Sequence, residues 1–356
     1  MLKKSLLVSA LLTAMCGSAM ATEIDIYGRV DAGLRFTHVN GGDETTEMTS
    51  NRSTSRVGFN IVEPITDTLK AKAYLETGFS SDTGAIKGEF FARRSIVALA
   101  GDFGEIGMGR LGAVQSSASP YSMGIIKFDP FGTSYGHASV ASTFANSDRG
   151  DNSIAYISPS YNGFKFGATY SFGDEDTEDE DVGNRDNRTL SLAGTYTSDT
   201  LFVTLAFGQK SFANNADVSY KDARVYSLGG TYKIGPAKLF AGAAYQTNWR
   251  TAAKITTDTA SGFDGYSALL GAQYAIGAGK IITSLQYFDG ELSDNSQADV
   301  QRKIAAAAYE YKLSKMTTAY VAATYSNVDG DAAGVQSDSG KELNATTLFV
   351  GIDKHF

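Results

Sequence analysis

Apolar and polar side chains alternate with a period of two through almost the whole chain after residue 22. In the first such segment Ile24, Ile26 and Val30 share one face, while Asp25 and Arg29 share the other. Consecutive side chains of a strand point to opposite sides of a sheet, so this pattern predicts strands with one apolar and one polar face. We find no sustained helical periodicity, and no apolar run after residue 22 long enough for a membrane helix. The sequence therefore predicts an all-β fold.

Three further features favour a membrane barrel over a soluble exported β-sandwich, which also alternates. The predicted strands are about 9–12 residues long, the length that a tilted membrane strand needs. Tyr or Phe ends many of the apolar faces, which is typical of the aromatic girdles of outer-membrane barrels. Short and long connections alternate along the chain, as they do in such barrels.

The segments count to sixteen antiparallel strands with eight long loops and seven short turns. A barrel of this size leaves an aqueous lumen, and its closure pairs every strand edge, as a bilayer demands. The predicted strands begin near residues 23, 55, 69, 90, 104, 152, 164, 188, 201, 223, 237, 264, 280, 301, 317 and 342. The predicted long loops are centred near residues 45, 84, 130, 179, 215, 255, 295 and 335.

The N-terminal segment, residues 1–21, is predicted to be a cleaved secretory signal. Lys3 and Lys4 give it a positive start, Leu6–Ala14 is a short apolar core, and Ala19–Ala21 fits the small-residue cleavage rule. Cys16 follows Met15, where a lipoprotein signal would have a small residue. Residues 22–356 are predicted to form one barrel domain.

Composition excludes several other classes of protein. A pI of about 5.0 argues against a nucleic-acid binder, and a single cysteine excludes a disulfide framework or a cysteine-based metal site. His38, His137 and His355 lie too far apart in the strand plan to form a metal site. Residues 107–112 match the dinucleotide fingerprint, but no helix follows them. We predict no catalytic site, no metal and no cofactor.

Five short motifs occur in an order and spacing that resemble a known family. They are Ile-Tyr-Gly-Arg at residues 26–29, Ser-Arg-Val-Gly-Phe at 55–59, Leu-Glu-Thr-Gly-Phe at 75–79, Gly-Asp-Phe-Gly at 101–104 and Met-Gly-Arg at 108–110. The chain also ends in Phe356. Together they resemble the general diffusion porins of Gram-negative bacteria, the trimeric sixteen-stranded kind. The last strand departs slightly, because Lys354 stands where the family usually has an aromatic residue or His.

The resemblance implies a pore constriction. In this family the third loop, here roughly residues 111–150, folds into the barrel and faces a ladder of basic side chains on the wall. Alternation independently places Arg29 and Arg56 opposite the apolar faces. The Asp-Pro-Phe-Gly run from Asp129 predicts a rigid turn with one acid exposed. Carried over by motif, the constriction residues are Arg29, Arg56, Arg93, Arg110 and Arg149 on the wall and Asp129 on the loop.

The predicted function is passive diffusion of small hydrophilic solutes and ions across the outer membrane of a Gram-negative bacterium. A solute-selective channel for oligosaccharides or an anion, and a structural or adhesive surface barrel, are the alternatives. The acidic net charge favours cations, whereas the local arginines favour anions, so the sequence leaves ion preference open.

The predicted partners follow mainly from the resemblance. It implies a homotrimer surrounded by outer-membrane lipid and lipopolysaccharide, and the acidic pI predicts no nucleic-acid partner. The outward faces of residues 55–110, including Ala92, Arg94 and Ala98, are expected to suit burial against a partner. Residues 174–181 hold seven acids in eight positions. They are predicted to form a solvated outer loop, and divalent cations bridging them to lipid phosphates are the alternative.

Overall fold

The computed structural model describes residues 21–115, 120–147, 149–173, 188–212, 219–257 and 261–356. Sixteen antiparallel strands form one closed barrel, because the first strand pairs with the last from Arg29–His355 to Val39–Ala345. The predicted fold class is confirmed. The predicted signal segment, except for Ala21, and the acidic run at 174–181 lie outside the described residues.

The strands are numbered β1 to β16 in chain order, and β2 is interrupted at residues 50–54. Their bounds are β1 Glu23–Val39, β2 Glu44–Thr49 with Ser55–Pro64, β3 Lys70–Phe79, β4 Arg94–Gly101, β5 Gly104–Gly112, β6 Arg149–Ile157, β7 Phe164–Ser171, β8 Thr189–Thr197, β9 Leu201–Lys210, β10 Ala223–Ile234, β11 Ala237–Trp249, β12 Phe263–Ile276, β13 Gly279–Leu292, β14 Asn295–Ser314, β15 Thr317–Asp329 and β16 Ala345–His355. A small hairpin, Thr251–Ala252 with Ile255–Thr256, follows β11. The described helical segments are short: Ile125–Phe128, Gly136–Ala138, Val140–Ser142, Ala333–Gln336 and Asp338–Lys341.

Two of the predicted long loops differ from the structure. Pairing between β1 and β2 continues to His38–Glu44, and β13 and β14 continue as far as Leu292–Asn295. The segments predicted as loops near residues 45 and 295 are therefore mostly strand. The threonines at 45, 46 and 49 suit a strand in the first of these segments, and in both segments pairing continues past the apolar band.

The outer face of the barrel carries an exposed apolar band. Side chains such as Leu205, Leu270 and Leu285 are more than 60% exposed, whereas their neighbours along each strand face the lumen. Phe207, Tyr226, Tyr245 and Tyr266 lie directly opposite one another on successive strands, on the side of the long loops. A second set of exposed aromatic side chains, including Tyr232 and Tyr274, lies near the short turns. The outer surface therefore has a lipid-facing band between two aromatic belts.

The inward and outward faces of β4 are the reverse of our expectation for Arg94 and Ala98. Val97 is 62% exposed on the outer face, whereas Ile96 and Ala98 are 2% exposed. Ile96 packs with Val114 and Tyr121 of the third loop. Arg94 has the same parity as Ile96 and points into the lumen. The expected start of this strand, near residue 90, placed Arg94 wrongly, because residues 89–93 form a turn and β4 begins at Arg94.

Candidate pore constriction

The third long loop, which we call L3 and which the structure describes over residues 113–115 and 120–147, folds into the lumen and packs against the inner wall. Three apolar clusters anchor it, and each joins L3 residues to inward-facing strand residues. The Phe128 ring lies between Gly229 of β10 and Gly242 of β11, where a Cβ on either glycine would overlap it. The wall glycines therefore make room for the loop, which packs against inner-wall residues from β4 round to β16.

Polar side chains of the wall bind the L3 backbone along this path. The Thr204 hydroxyl donates to the Met123 carbonyl at 2.7 Å, and the Gln286 amide donates to the Ala138 carbonyl at 2.6 Å. The Ser267 hydroxyl donates to the Thr143 carbonyl at 2.7 Å. Buried carbonyls need such partners, because an unpaired one costs free energy in a dry interior. L3 is therefore a fixed part of the lumen wall.

Asp129 is buried, at 5% exposure, which differs from the exposed acid that the sequence predicted. One carboxylate oxygen accepts the Phe131 N–H at 2.9 Å, and the other accepts the N–H groups of Thr133 and Val140, both at 3.0 Å. Burial raises the pKa of Asp129, although the N–H donors act in the opposite direction. The carboxylate thus holds the two ends of the loop tip together and presents no acid to the lumen.

A cationic side chain occupies the exposed edge of L3 instead. Lys127 is partly exposed and lies with Lys165 of β7 along a lumen cavity of about 1050 Å³ on the side of the short turns. Burial and the neighbouring Lys165 lower the pKa of Lys127. The loop therefore presents a basic side chain to the lumen where the resemblance implied an acid.

The Glu76 cluster is the first of two charged groups on the opposite wall. Glu76 is fully buried on β3, and one of its oxygens lies 2.6 Å from the Arg93 Nε. The other oxygen lies 3.6 Å from Arg56 and 3.8 Å from Arg94, and it accepts the Tyr27 hydroxyl at 2.8 Å. Three guanidinium groups therefore share one carboxylate, which leaves the cluster with a positive excess.

The second charged group contains three basic side chains and three acids. Arg29 pairs with Asp353 at 2.8 Å, and Arg52 pairs with both Asp353 and Glu310. Lys280 lies 3.3 Å from Glu310. Asp31 accepts the Ser53 N–H at 2.7 Å and the Tyr320 hydroxyl at 2.7 Å. Positive and negative groups balance here, unlike at Glu76.

The two clusters explain how like charges can face each other on neighbouring strands. Arg29 and Arg56 are direct cross-strand partners, an arrangement that is destabilising by itself. Each arginine turns to an acid on its other side, Asp353 on β16 and Glu76 on β3. The carboxylates thus allow the two arginines to stand side by side on β1 and β2.

Arg110 lies away from the predicted ladder. It pairs in register with Ser95, on the outer face that Met108 shares with Val97. Its guanidinium donates to the Ala92 carbonyl at 2.7 Å and to Asp151 at 2.5 Å. The sequence motif, not strand alternation, assigned Arg110 to the ladder, and the register shift between Gly109 and Leu111 lies directly beside it.

Arg149 begins β6 and faces the lumen on the loop side of L3. It lines a cavity of about 430 Å³ with Lys210, and its charge interacts with Arg93, Arg94 and Glu76. The structure gives Arg149 no ion pair within the described residues. Among the described residues, Arg149 is therefore the one member of the predicted basic ladder whose charge is not paired with an acid.

Sequence reasoning missed three residues that complete the charged wall: Arg52, Arg94 and Glu76. Glu76 lies in the Leu-Glu-Thr-Gly-Phe motif, and its position on the polar face of β3 was a signal that could have identified it. Arg52 lies in the interruption of β2, where no periodicity exists. Among the described residues no group of His, Cys, Asp and Glu side chains could hold a metal ion.

A closed barrel with an apolar outer band, a charged lumen and an inward-folded loop defines a transmembrane diffusion channel. The chain belongs to the Gram-negative porin family, whose model matches residues 8–331. It is 30% identical to an outer membrane porin protein of Bordetella pertussis, over 91% of this chain and 94% of that protein. It is also 30% identical to the outer membrane porin protein 32 of Delftia acidovorans, over 94% and 93% of the two chains.

Solved structures agree on the fold. An anion-selective porin from Comamonas acidovorans superimposes with a TM-score of 0.72 at 24% identity, covering 94% of this chain and all of that one. OmpT of Vibrio cholerae in a trimer form gives a TM-score of 0.62 at 16% identity, over 95% of this chain and all of that one. The protein is an outer-membrane porin through which small hydrophilic solutes diffuse passively, and its family and fold are those of channels.

Proposed function

We propose that this porin prefers anions, and that the Glu76 cluster with Arg149 sets the preference. The observation that carries the proposal is the ratio of three guanidinium groups to one carboxylate at Glu76. Arg149 adds a charge that no acid of the described residues pairs with, and Lys127 adds a basic side chain on L3. Arginine keeps its proton at any working pH, so the wall charge is permanent.

The acidic net charge of the whole chain does not oppose this proposal. Charges more than about 8 Å apart are largely screened at physiological ionic strength, so acids on outer loops contribute little inside the passage. Charges in a narrow lumen with low-dielectric walls are screened less, and a permeating ion passes close to them. Local charge therefore outweighs net charge.

Replacing Arg149 with Gln should reduce anion preference, because it removes an unpaired lumen charge without disturbing an ion pair. Lys303→Gln is the control, since it removes a positive charge from an exposed position on the outer face of β14. The measurement is the reversal potential of single channels in a potassium chloride gradient. Wild type should favour chloride, Arg149→Gln should favour it less, and Lys303→Gln should resemble wild type.

High salt provides a second check on the same variants. The Debye length falls to about 3 Å at 1 M salt, so the difference between wild type and Arg149→Gln should shrink there. Wild-type channels that favour potassium would refute the anion proposal. Equal shifts from Arg149→Gln and Lys303→Gln would refute the role of the lumen cluster.

We further propose that the protein is a homotrimer whose subunits meet through β2 to β5. Tyrosines line the outer face of many other strands, but the single tyrosine of β2 to β5, Tyr74, points inward toward Glu105. Tyrosine favours a lipid–water boundary, so its absence suits a surface covered by protein. Exposed Val97 and Met108, with Phe90 on the adjacent loop, supply apolar area for contact.

Replacing Val97 with Arg should lower trimer yield, because it buries a charge at the proposed interface. Leu270→Arg is the control, since Leu270 is equally exposed on β12, outside that interface. The measurement is the mass of the detergent complex by light scattering with unheated gel migration. A trimeric Val97→Arg protein, or equal losses from both variants, would contradict the proposed surface. Lipid and lipopolysaccharide are the proposed partners of the remaining outer face.

A further inference from the structure

Arg302 is a fully buried arginine on the inner face of β14, away from the charged wall. Its guanidinium donates to four acceptors on three different elements. The acceptors are the Ser326 hydroxyl at 3.0 and 3.1 Å on β15, the Ser142 carbonyl at 3.2 Å and the His137 Nδ1 at 2.8 Å in L3, and the Ala253 carbonyl at 2.8 Å in the small hairpin after β11. One side chain therefore joins the wall, L3 and the hairpin.

All four acceptors are neutral, and the described residues place no acid against this guanidinium. A buried charge normally requires an acid partner, because removing it from water costs several kcal/mol. Burial and nearby Arg302 lower the pKa of His137 to about 3, so its ring is neutral at working pH and Nδ1 can accept when Nε2 carries the proton. The planar guanidinium group carries N–H donors on three nitrogens and can bind several fixed acceptors at once, whereas all the donors of lysine are on one nitrogen.

The hairpin that Arg302 binds is held in a strained conformation. Its two turn residues, Ala253 and Lys254, have φ values of 51° and 72°, a region that side chains other than glycine rarely adopt. Such strain persists only where the surroundings hold it in place. Ala253 and Ile255 also pack in an apolar cluster with Phe288 and Val300 of the inner wall. The hairpin thus covers part of the mouth of the barrel on the loop side.

We propose that Arg302 is a positioning residue that fixes the two inward-folded segments, L3 and the hairpin at residues 251–256, relative to each other. By holding L3 and the hairpin in place, its contacts set the width of the passage beside each of them. Its guanidinium binds only backbone carbonyls and neutral side chains among the described residues. This role is separate from the anion preference proposed for the Glu76 cluster, since Arg302 makes no contact with that cluster.

The test measures the distance between the two segments directly. Spin labels are attached to Thr133→Cys in L3 and Thr256→Cys in the hairpin, both at exposed positions, in a full chain that carries Cys16→Ser. Pulsed dipolar spectroscopy then gives the distribution of label distances. Arg302→Met should broaden this distribution and increase open-channel current noise, while chloride preference keeps its sign. Lys303→Met is the matched control, because Lys303 is exposed on the outer face next to Arg302.

Arg302→Lys separates the geometry of the guanidinium from its charge. The proposal expects Arg302→Lys to broaden the distances as Arg302→Met does; wild-type distances in Arg302→Lys would overturn it. Should Arg302→Met fail to assemble, His137→Ala and Ser326→Ala each remove one acceptor and should broaden the distribution partly. Wild-type distances and noise in every assembled variant would also overturn the proposal. A change in reversal potential alone would bear on anion preference and would leave the distances as the deciding result.

Discussion

Replacing Asp129 with Asn is expected to release the tip of L3 from its fold. The asparagine oxygen can still accept the N–H groups of Thr133 and Val140, which share one carboxylate oxygen in the structure, but its –NH2 group then faces the N–H of Phe131. One buried donor without its acceptor costs about 1–3 kcal/mol. A loosened tip should raise single-channel conductance and expose L3 to proteolysis, without reversing ion preference.

Lys127→Gln is the matched variant on the same loop. It removes a partly exposed charge that faces the lumen and leaves the hydrogen bonds of Asp129 intact. It should therefore weaken anion preference while L3 stays resistant to protease. An Asp129→Asn channel with wild-type conductance and protease resistance, or one that shifts only its selectivity, would contradict the structural role of this carboxylate.

Replacing Glu76 with Gln should both destabilise the barrel and strengthen anion preference. The change keeps the side-chain volume but leaves Arg56, Arg93 and Arg94 without their shared acid. Breaking a buried ion pair costs about 3–5 kcal/mol, and because these arginines are partly exposed we expect about 2–3 kcal/mol here. The measurements are the temperature at which the folded gel band disappears and the reversal potential of single channels.

Glu105→Gln is the control for this prediction. Glu105 pairs with one cation, Lys72 at 2.7 Å, and contacts the Tyr74 hydroxyl. Removing this acid leaves a single unpaired charge, so the loss of thermal stability should be smaller. If the Glu76→Gln protein melted as wild type does and kept its selectivity, the three arginines would not depend on Glu76.

The sequence by itself determined the class of fold, the face of most strand residues and the family. Strand periodicity is a local consequence of backbone geometry, so Ile24 and Ile26 identify an outer face without knowledge of any other strand. Strand number and closure followed because each strand carries the same signal. The inward positions of Arg29 and Arg56 were predicted for the same reason, and the structure places them there.

Only the tertiary structure decided which charges meet and where loop side chains point. Glu76 meets Arg93 and Arg94 across a turn, and Arg29 meets Asp353 at the far end of the chain, because barrel closure brings distant strands together. Asp129 has no periodic neighbours, so its burial depended on how L3 packs against the wall glycines. Arg110 lies beside a register shift, where the regular alternation of inward and outward side chains is interrupted. In each case the position of the side chain depends on residues far away in the sequence. The alternation of neighbouring residues cannot predict such contacts.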